Sequence, residues 1–443
     1  MTKFFYLLFQ VLILIIIFLW IMSFEQRVDF FWEGIVFTSK ISTIILISIF
    51  FIALILLIYR IYIFFRQSPK KIRNSMVINN YNKGITSIVK AIAAMSNNDD
   101  KELIVQANRI DNYLKDNPIS LILKAESAKR AKKNDVAEKY YNQMLQLSDT
   151  KIIGFRGLLE QNLKKQDFHH ALIYAEEIYK INYKLEWIFE TIIQIIVKTQ
   201  NWQKLIEINK DAYYKKIISK KEFQEINSSA NYEIAIIKES FSSQEAINLL
   251  NIANNDRPNY PPIVKKFSSL LINNNEFTKA KKLILKCWVH FPHQMLFDEY
   301  VKISRNENNN IINNVSKLIK NNPNEYESII AIAKAHVLQK NWERAKSLMK
   351  PLLSSKPSKT VCEVMHDIEL GISGNVQKAN SWKNRMLIGD YEKTWVCKYT
   401  GYIQDNWSPV SDGGFLNSLE WTWPKNDKIK QKNNLIPNII GSS

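Results

Sequence analysis

A small residue returns at a fixed interval along most of this chain, and that beat restricts the fold more than any single motif. It stands in "DVAEKY" (Ala137), "DFHHALIYAEE" (Ala171), "SQEAINLL" (Ala246), "FTKAKKLI" (Ala280), "WERAKSLM" (Ala345) and "VQKANSW" (Ala379). The steps 137 to 171, 246 to 280 and 345 to 379 are each 34 residues, and Leu205 in "NWQKLIEI" takes the place 34 after Ala171. The step from 205 to 246 is 41, which implies an insertion. The step from 280 to 345 is 65, two periods with a degenerate unit around Asn313.

Prolines keep a similar beat at Pro258, Pro292, Pro323 and Pro357. A small residue every 34 positions, with Pro between units, is the signature of tetratricopeptide-like helix pairs. The small side chain lets the second helix of a pair pack closely on the first, and Pro breaks the chain between pairs. No pair can bury its apolar face alone, so stacked neighbours form the core and leave a groove that suits a protein partner. The sequence therefore predicts helical repeats over residues 67–390. With only 11 Gly and 12 Pro in 443 residues, the chain reads as all-α outside its tail.

Two segments ahead of the repeats are too apolar for ordinary core helices. Phe4 to Phe24 contains Gln10 and no charge, and Ile41 to Tyr59 is also uncharged. Each is about 20 residues, the length a helix needs to cross a ~30 Å hydrocarbon core. "FLWIMSFEQ" offers no small-residue cleavage site, so the first segment is expected to stay in place as half of a two-helix hairpin over residues 1–66, with spans of about 4–24 and 41–65. Arg60, Arg66, Lys70, Lys71 and Arg73 follow the second span, and the positive-inside rule puts them and the repeats on the cytoplasmic side. The expected location is a multi-pass protein of a bacterial inner membrane.

The net charge of +18 invites a nucleic-acid reading. The lysines, however, are scattered singly along polar faces, and no nucleic-acid module or aromatic-flanked basic stripe occurs. The expected partners are proteins and the membrane, with no nucleic acid; the oligomeric state is left open. Three widely spaced cysteines make no disulfide framework, which suits a reducing compartment. No dinucleotide fingerprint, phosphate loop, nucleophile elbow or zincin motif is present, and no set of acid, base and nucleophile converges. The chain reads as a non-enzyme with no cofactor.

The tail, residues 391–424, is rich in Trp and resembles a rubredoxin-like ribbon that has lost its metal. Its knuckle positions are Cys397-x-x-Thr400 with Gly401, and Ser408-x-x-Ser411 with Gly413 and Gly414. One thiolate of four remains, and neutral hydroxyls cannot replace the rest for Zn or Fe. A metal-free ribbon held by Trp395, Trp407, Phe415, Trp421 and Trp423 is expected, followed by a disordered segment, 425–443. One further constellation, "KCWVHFPHQ", spaces Cys287, His290 and His293 as C-x-x-H-x-x-H, which can grip a metal or haem iron. Its place at the end of a repeat helix, with Pro292 at the expected break, favours a structural role. Cys362 and His366 make a weaker pair.

In the order of its parts the chain resembles the HemY family of Gram-negative bacteria, in its alphaproteobacterial form. The resemblance rests on the two apolar spans with their basic exit, "GFRGLLEQNLKKQDFHHALIYAE" (Gly154 to Glu176), "RPNYPPIVKKFSSLL" (Arg257 to Leu271) and "AKKLILKCWVHFPH" (Ala280 to His293). It continues through "NPNEYESIIAIAKAHVLQKNWERAKSLMKPLL" (Asn322 to Leu353) and closes on "WSPVSDGGFLNSLEW" (Trp407 to Trp421). The chain departs from the family in Asp412, where the family often has Pro, and in keeping Cys397. The resemblance implies an inner-membrane tetratricopeptide scaffold associated with a late step of protohaem biosynthesis, whose partners are haem-biosynthesis enzymes. Two other functions stand beside it. One is a haem or porphyrin carrier using Cys287, His290 or His293 as iron ligand; the other is an adaptor in envelope biogenesis, a role that an intact tail metal site would have favoured.

Overall fold

A computed structural model describes residues 2–114, 117–307, 310–353, 356–387, 389 and 392–424. The segment 425–443, expected to be disordered, lies outside them. The chain divides into two compact units, residues 1–133 and 134–443, each taken by itself below.

The first unit opens with α1 (Thr2–Met22) and an antiparallel hairpin, β1 (Arg27–Trp32) and β2 (Ile35–Lys40). Glu33 and Gly34 close the hairpin with φ of 43° and 87°, the paired positive φ of a primed two-residue turn. The segment read as a plain connection in an all-α chain is thus strand. Phe30 opposite Phe37 and Phe31 opposite Val36, with Val28, Ile35 and Thr38 along the same strands, are the β-branched and aromatic types that favour one. Next comes α2 (Ile41–Ser96), 56 residues without a break. The boundary expected at residue 66 falls inside it. Among the described residues, Ile41–Ile63 is the one helical stretch long and apolar enough to cross a membrane; Phe9–Met22 of α1 is apolar but shorter.

The second half of α2 packs through Ala91 and Ala94 on α3 (Asp100–Tyr113), with α4 (Pro118–Arg130) closing a small core through Leu123. Gly84 gives room here: a Cβ would strike the Leu114 side chain, which would have to move. Leu103, fourth residue of α3 and fully buried, stands 34 before Ala137. The repeat therefore begins one unit earlier than the small residues indicate, with the end of α2 as its first helix.

The second unit runs through α5 (Asn134–Met144), α6 (Lys151–Lys164), α7 (Phe168–Ile181), α8 (Glu186–Thr199), α9 (Trp202–Tyr214) and α10 (Lys220–Glu239). It continues with α11 (Ser243–Asp256), α12 (Pro261–Asn273), α13 (Phe277–His290), α14 (Phe297–Glu307) and α15 (Ile311–Leu318). It ends with α16 (Tyr326–Leu338), α17 (Trp342–Met349), α18 (Lys359–Ser373) and α19 (Val376–Met386). Even numbers are first helices of pairs and odd numbers second helices.

Ala137, Ala171, Leu205, Ala246, Ala280, Ala345 and Ala379 are each the fourth residue of an odd-numbered helix, and each is 0% exposed. The degenerate unit is α15, where Asn314 takes the fourth place. The insertion is α10, whose 20 residues exceed the length of the other first helices of this unit. Pro258, Pro292, Pro323 and Pro357 all fall in the turns from second to first helix.

The turn from first to second helix repeats as well in most pairs, the α10–α11 turn excepted. Asn98, Lys132, Gln166, Gln200, Asn275, Lys340 and Gly374 have φ between 54° and 63° and stand five residues before the fourth-place position. This left-handed residue ends the first helix, and the next residue begins the cap of the second. Asp99, Asp167 and Asn201 accept the backbone N–H three residues on.

Candidate functional site

After α19 the chain forms a ribbon of three antiparallel strands, β3 (Thr394–Cys397), β4 (Ile403–Gln404) and β5 (Leu419–Thr422), in the order β4-β3-β5. The ribbon folds back on the first helices of pairs far upstream. Ser229 of α10 donates to Asn417 Oδ1 at 2.5 Å. Tyr232 and Tyr260 meet the Trp407 ring edge-on, with centroids 5.1 and 5.4 Å apart. Val410 and Leu416 pack against the core of α7–α10. Part of the face that the repeats could offer to a partner is thus covered by this chain's own tail.

Beside the ribbon lies a cleft of about 1100 Å³. Its walls come from the turns that begin α12, α14, α16 and α18 and from β3 and β5. Tyr260, His290, Phe291, His293 and Gln294 form one side; Glu325, Tyr326, Glu327, Lys356 and Ser358 form another; Glu392, Trp395, Glu420, Trp421 and Trp423 belong to the tail. Glu392 fastens the tail to the head of α18. Its carboxylate accepts the Thr360 N–H at 2.7 Å and the Thr360 hydroxyl at 3.0 Å, as an anion at a helix N-terminus should. The Tyr326 hydroxyl shares a 2.5 Å hydrogen bond with Ser358.

His293 is the centre of the aromatic wall. Its ring lies 4.3 Å from that of Trp421 and stacks near-parallel on Trp395, at 6.1 Å. His293 Nδ1 accepts the Met295 N–H at 3.2 Å and caps the short 3-10 turn Gln294–Leu296. Burial lowers its pKa to about 4, with nearby Lys265 adding to the shift, so at neutral pH the ring is neutral and its one proton sits on Nε2. That N–H is buried and has no partner. Next to it Gln294 Oε1, and on the other side of the cleft Glu327 Oε2, are also buried without partners, and burial raises the Glu327 pKa despite the bond from Gln294. A buried donor and two buried acceptors left unpaired cost about 1–3 kcal/mol each. Unpaired buried atoms also occur elsewhere in the repeats, at Gln161, Asn209 and Asn254; those of His293, Glu327 and Gln294 belong to residues that line an open cavity.

The sequence grouped Cys287, His290 and His293, and the structure separates them. Cys287 is fully buried in the repeat core and donates to the Asn259 carbonyl at 3.2 Å; burial lifts its thiol pKa to about 12. His290 is exposed at the rim of the cleft. His293 uses its lone pair on Met295, so Nε2 faces its surroundings as a donor and not as a ligand for iron. Cys362 is likewise buried, against the Pro357 carbonyl, and His366 pairs with Asp367. Among the described residues no three His, Cys, Asp or Glu side chains come together as a metal site.

In the tail, Cys397 is 3% exposed, with Sγ 3.8 Å from Ser411 Oγ and 3.5 Å from Ser418 Oγ. Burial alone would raise its thiol pKa, but hydrogen bonding with Ser418, Thr400 and the Thr400 and Tyr399 backbone outweighs it and holds the thiol below its ordinary pKa. Thr400 and Ser411 thus keep the knuckle positions given by the spacing. Ser408 does not: its hydroxyl turns to the Val410 carbonyl. Ser418 takes its place, a residue the spacing does not mark because it lies outside both knuckles. The cleft itself has no sequence signal, since its walls are drawn from residues as far apart along the chain as Arg257 and Trp423.

No family model matches the chain, and no curated protein matches it. Among solved structures, a chain of the Naa15/Naa10 complex bound to HypK-THB is similar at TM-score 0.41 and 15% identity, covering 71% of this chain and 51% of that one. This chain therefore spans about half the length of that relative. The TPR2AB domain of yeast Sti1, in its complex with pHSP90, gives TM-score 0.28 at 12% identity over 69% of this chain and 99% of that chain. A tetratricopeptide repeat protein of Parabacteroides merdae gives 0.30 at 12% identity over 57% and 93%. The assignment of helical repeats rests on this chain's own register, and nothing about partners is taken from these likenesses.

Proposed function

We propose that the protein is a membrane-tethered tetratricopeptide-type scaffold whose cleft docks an extended segment of a partner protein. The observation that carries this reading is the cleft, where unpaired buried groups meet the free edge of β5. In the β3–β5 ladder Lys398 N–H bonds to the Ser418 carbonyl, which makes Val396–Glu420 and Thr394–Thr422 the bonded pairs. The backbone groups of Leu419 and Trp421 therefore point away from β3, along the side where β5 has no neighbouring strand. An open edge beside side-chain pockets is the arrangement by which extended peptides add to a sheet. His293 Nε2–H and Glu327 Oε2 are placed to recognise polar groups on such a segment, and Trp421, Trp423 and Phe291 offer apolar surface.

Anchorage is part of the same proposal. Ile41–Ile63 is the span, α1 is a second crossing that returns the chain, and the basic residues after Tyr59 hold the repeats on the cytoplasmic side of a bacterial inner membrane. Confining scaffold and partners to one surface raises their effective concentration, so a weak contact suffices. The resemblance of the sequence to the HemY family supports placing this scaffold at a late step of protohaem biosynthesis, with membrane-associated enzymes of that pathway as partners. The carrier alternative is weakened by geometry: Cys287 is buried and His293 presents a donor, which leaves His290 alone.

Porphyrin accumulation in cells tests this. Trp421→Ala with Glu327→Gln, or loss of residues 1–66, should raise porphyrin precursors, while His290→Gln leaves them unchanged. Normal flux in the cleft variant would overturn the docking role. A saturable haem spectrum in the soluble repeats, lost with His290→Gln, would replace the scaffold by the carrier.

A further inference from the structure

The part of α2 beyond the membrane span carries two apolar faces, and the first unit uses only one. Gly84, Ser87, Ala91 and Ala94 are buried against α3. On the other side Ile78, Tyr81, Ile85, Val89 and Ile92 are exposed by 60, 57, 41, 62 and 53%. At 100° per residue these five fall within one stripe of about 80°, centred roughly 140° from the buried face. The stripe is free of charge: Lys83 and Lys90, the charged residues between Ser75 and Asn97, lie on the opposite side of the helix from it. Five large apolar side chains in a row do not belong in water, and monomeric surfaces seldom carry them.

We propose that this stripe is a dimer interface, formed with α2 of a second copy in a parallel coiled coil. Three observations select that occupant. Ile78, Ile85 and Ile92 repeat every seven residues with Tyr81 between the first two, the spacing of one seam position of a coiled coil, where β-branched residues suit a two-stranded parallel coil. α2 is one continuous helix from the span Ile41–Ile63 to Ser96, so two copies inserted alike in one membrane bring their stripes to the same height and in the same direction. The exposed parts of the five side chains sum to roughly 500 Å² per copy, and a symmetric pair would bury about 1,000 Å², the size at which specific interfaces begin. An interface at that lower limit depends on the membrane to hold the copies together, which places the dimer only where the anchor is. The pairing needs the span within α2, and neither the cleft nor its partner.

Single-cysteine variants of the full chain in membranes test the pairing under mild oxidation, because Cys287, Cys362 and Cys397 are all buried. Ile78→Cys, Ile85→Cys and Ile92→Cys should each form a disulfide-linked species of twice the chain mass, about five-fold more than Lys83→Cys or Lys90→Cys on the outer face. Same-residue crosslinks at both 78 and 92 arise only in a parallel pair; crosslinking at 85 alone would mean an antiparallel arrangement and overturn the proposal. So would equal crosslinking on both faces, a product of mass other than two chains, or a monomer by native mass spectrometry from lipid nanodiscs. Ile85→Asp with Val89→Asp should convert dimer to monomer while the protein still sediments with membranes and keeps its melting temperature. A variant still dimeric would remove the stripe from the interface.

Discussion

The fourth-place positions of the second helices and the cleft beside the ribbon differ in what surrounds their buried groups. At Ala171, Leu205 or Ala280 the buried residue is small or apolar, and nearby polar groups are spent on caps such as Asp167 and Asn201. At the cleft, His293 Nε2, Glu327 Oε2 and Gln294 Oε1 are buried with nothing to bond. The same turn between pairs serves both purposes: it reverses the chain at Pro258 and Pro292, and it also brings Tyr260 and His293 into the aromatic wall. The regular positions hold the solenoid together; unpaired buried atoms occur among them too, at Gln161 and Asn209, whereas those of the cleft belong to residues lining an open cavity walled by aromatic rings.

Three perturbations sharpen that contrast. The largest is Trp395→Ala. Trp395 is 3% exposed and touches Tyr260, His293, Trp407 and Trp421, so its loss should cost the ribbon about 3–5 kcal/mol. Thermal unfolding followed by Trp fluorescence should then show the tail melting ahead of helix loss by circular dichroism. A single coincident transition would mean that ribbon and repeats form one cooperative block.

The second is acid. The folded pKa of His293, about 4, lies below its ordinary 6.5, so the unfolded chain binds the proton more readily between those values. The stability associated with neutral His293 is complete above pH 6.5 and falls as pH drops toward 4, by about 3 kcal/mol over the window. In the stability difference between wild type and His293→Gln, measured by urea titration, that slope should appear; a flat difference would place the ring in water. The smallest is Gln200→Gly. A non-glycine residue at φ 54° costs about 1–2 kcal/mol, and glycine returns part of this through its freer unfolded state, so a gain of roughly 0.5 kcal/mol is expected at this purely structural turn.

What could be read in advance follows from where each constraint acts. Ala137 to Ala379 were legible because close helix packing demands a small side chain at one place per period. Leu103 was not, since its large side chain hides the same place. The left-handed turns at Lys132, Gln166 and Gln200 carry no Gly or Asn to announce them; backbone register imposes φ there against residue preference. Arg27–Trp32 and Ile35–Lys40 were read as a mere connection because a hairpin six residues long on each side offers little pattern beside two apolar spans. The tail was recognisable from its Gly and Trp spacing. The site of Cys397 was half legible, with Ser418 brought in by the β3–β5 pairing. The cleft could not be read at all, because it joins Tyr260, His293, Glu327 and Trp421 through tertiary contacts alone.

A photo-crosslinking amino acid placed at Phe291, on the cleft, and at Phe241, 82% exposed at the end of α10 and away from it, tests the central claim most directly. In intact membranes the probe at Phe291 should trap a discrete partner protein, and Trp421→Ala or Glu327→Gln should abolish that adduct, while the probe at Phe241 traps none in common. An equal set of adducts from both positions, or a Phe291 adduct indifferent to Trp421→Ala and Glu327→Gln, would contradict the assignment of the cleft as the docking site.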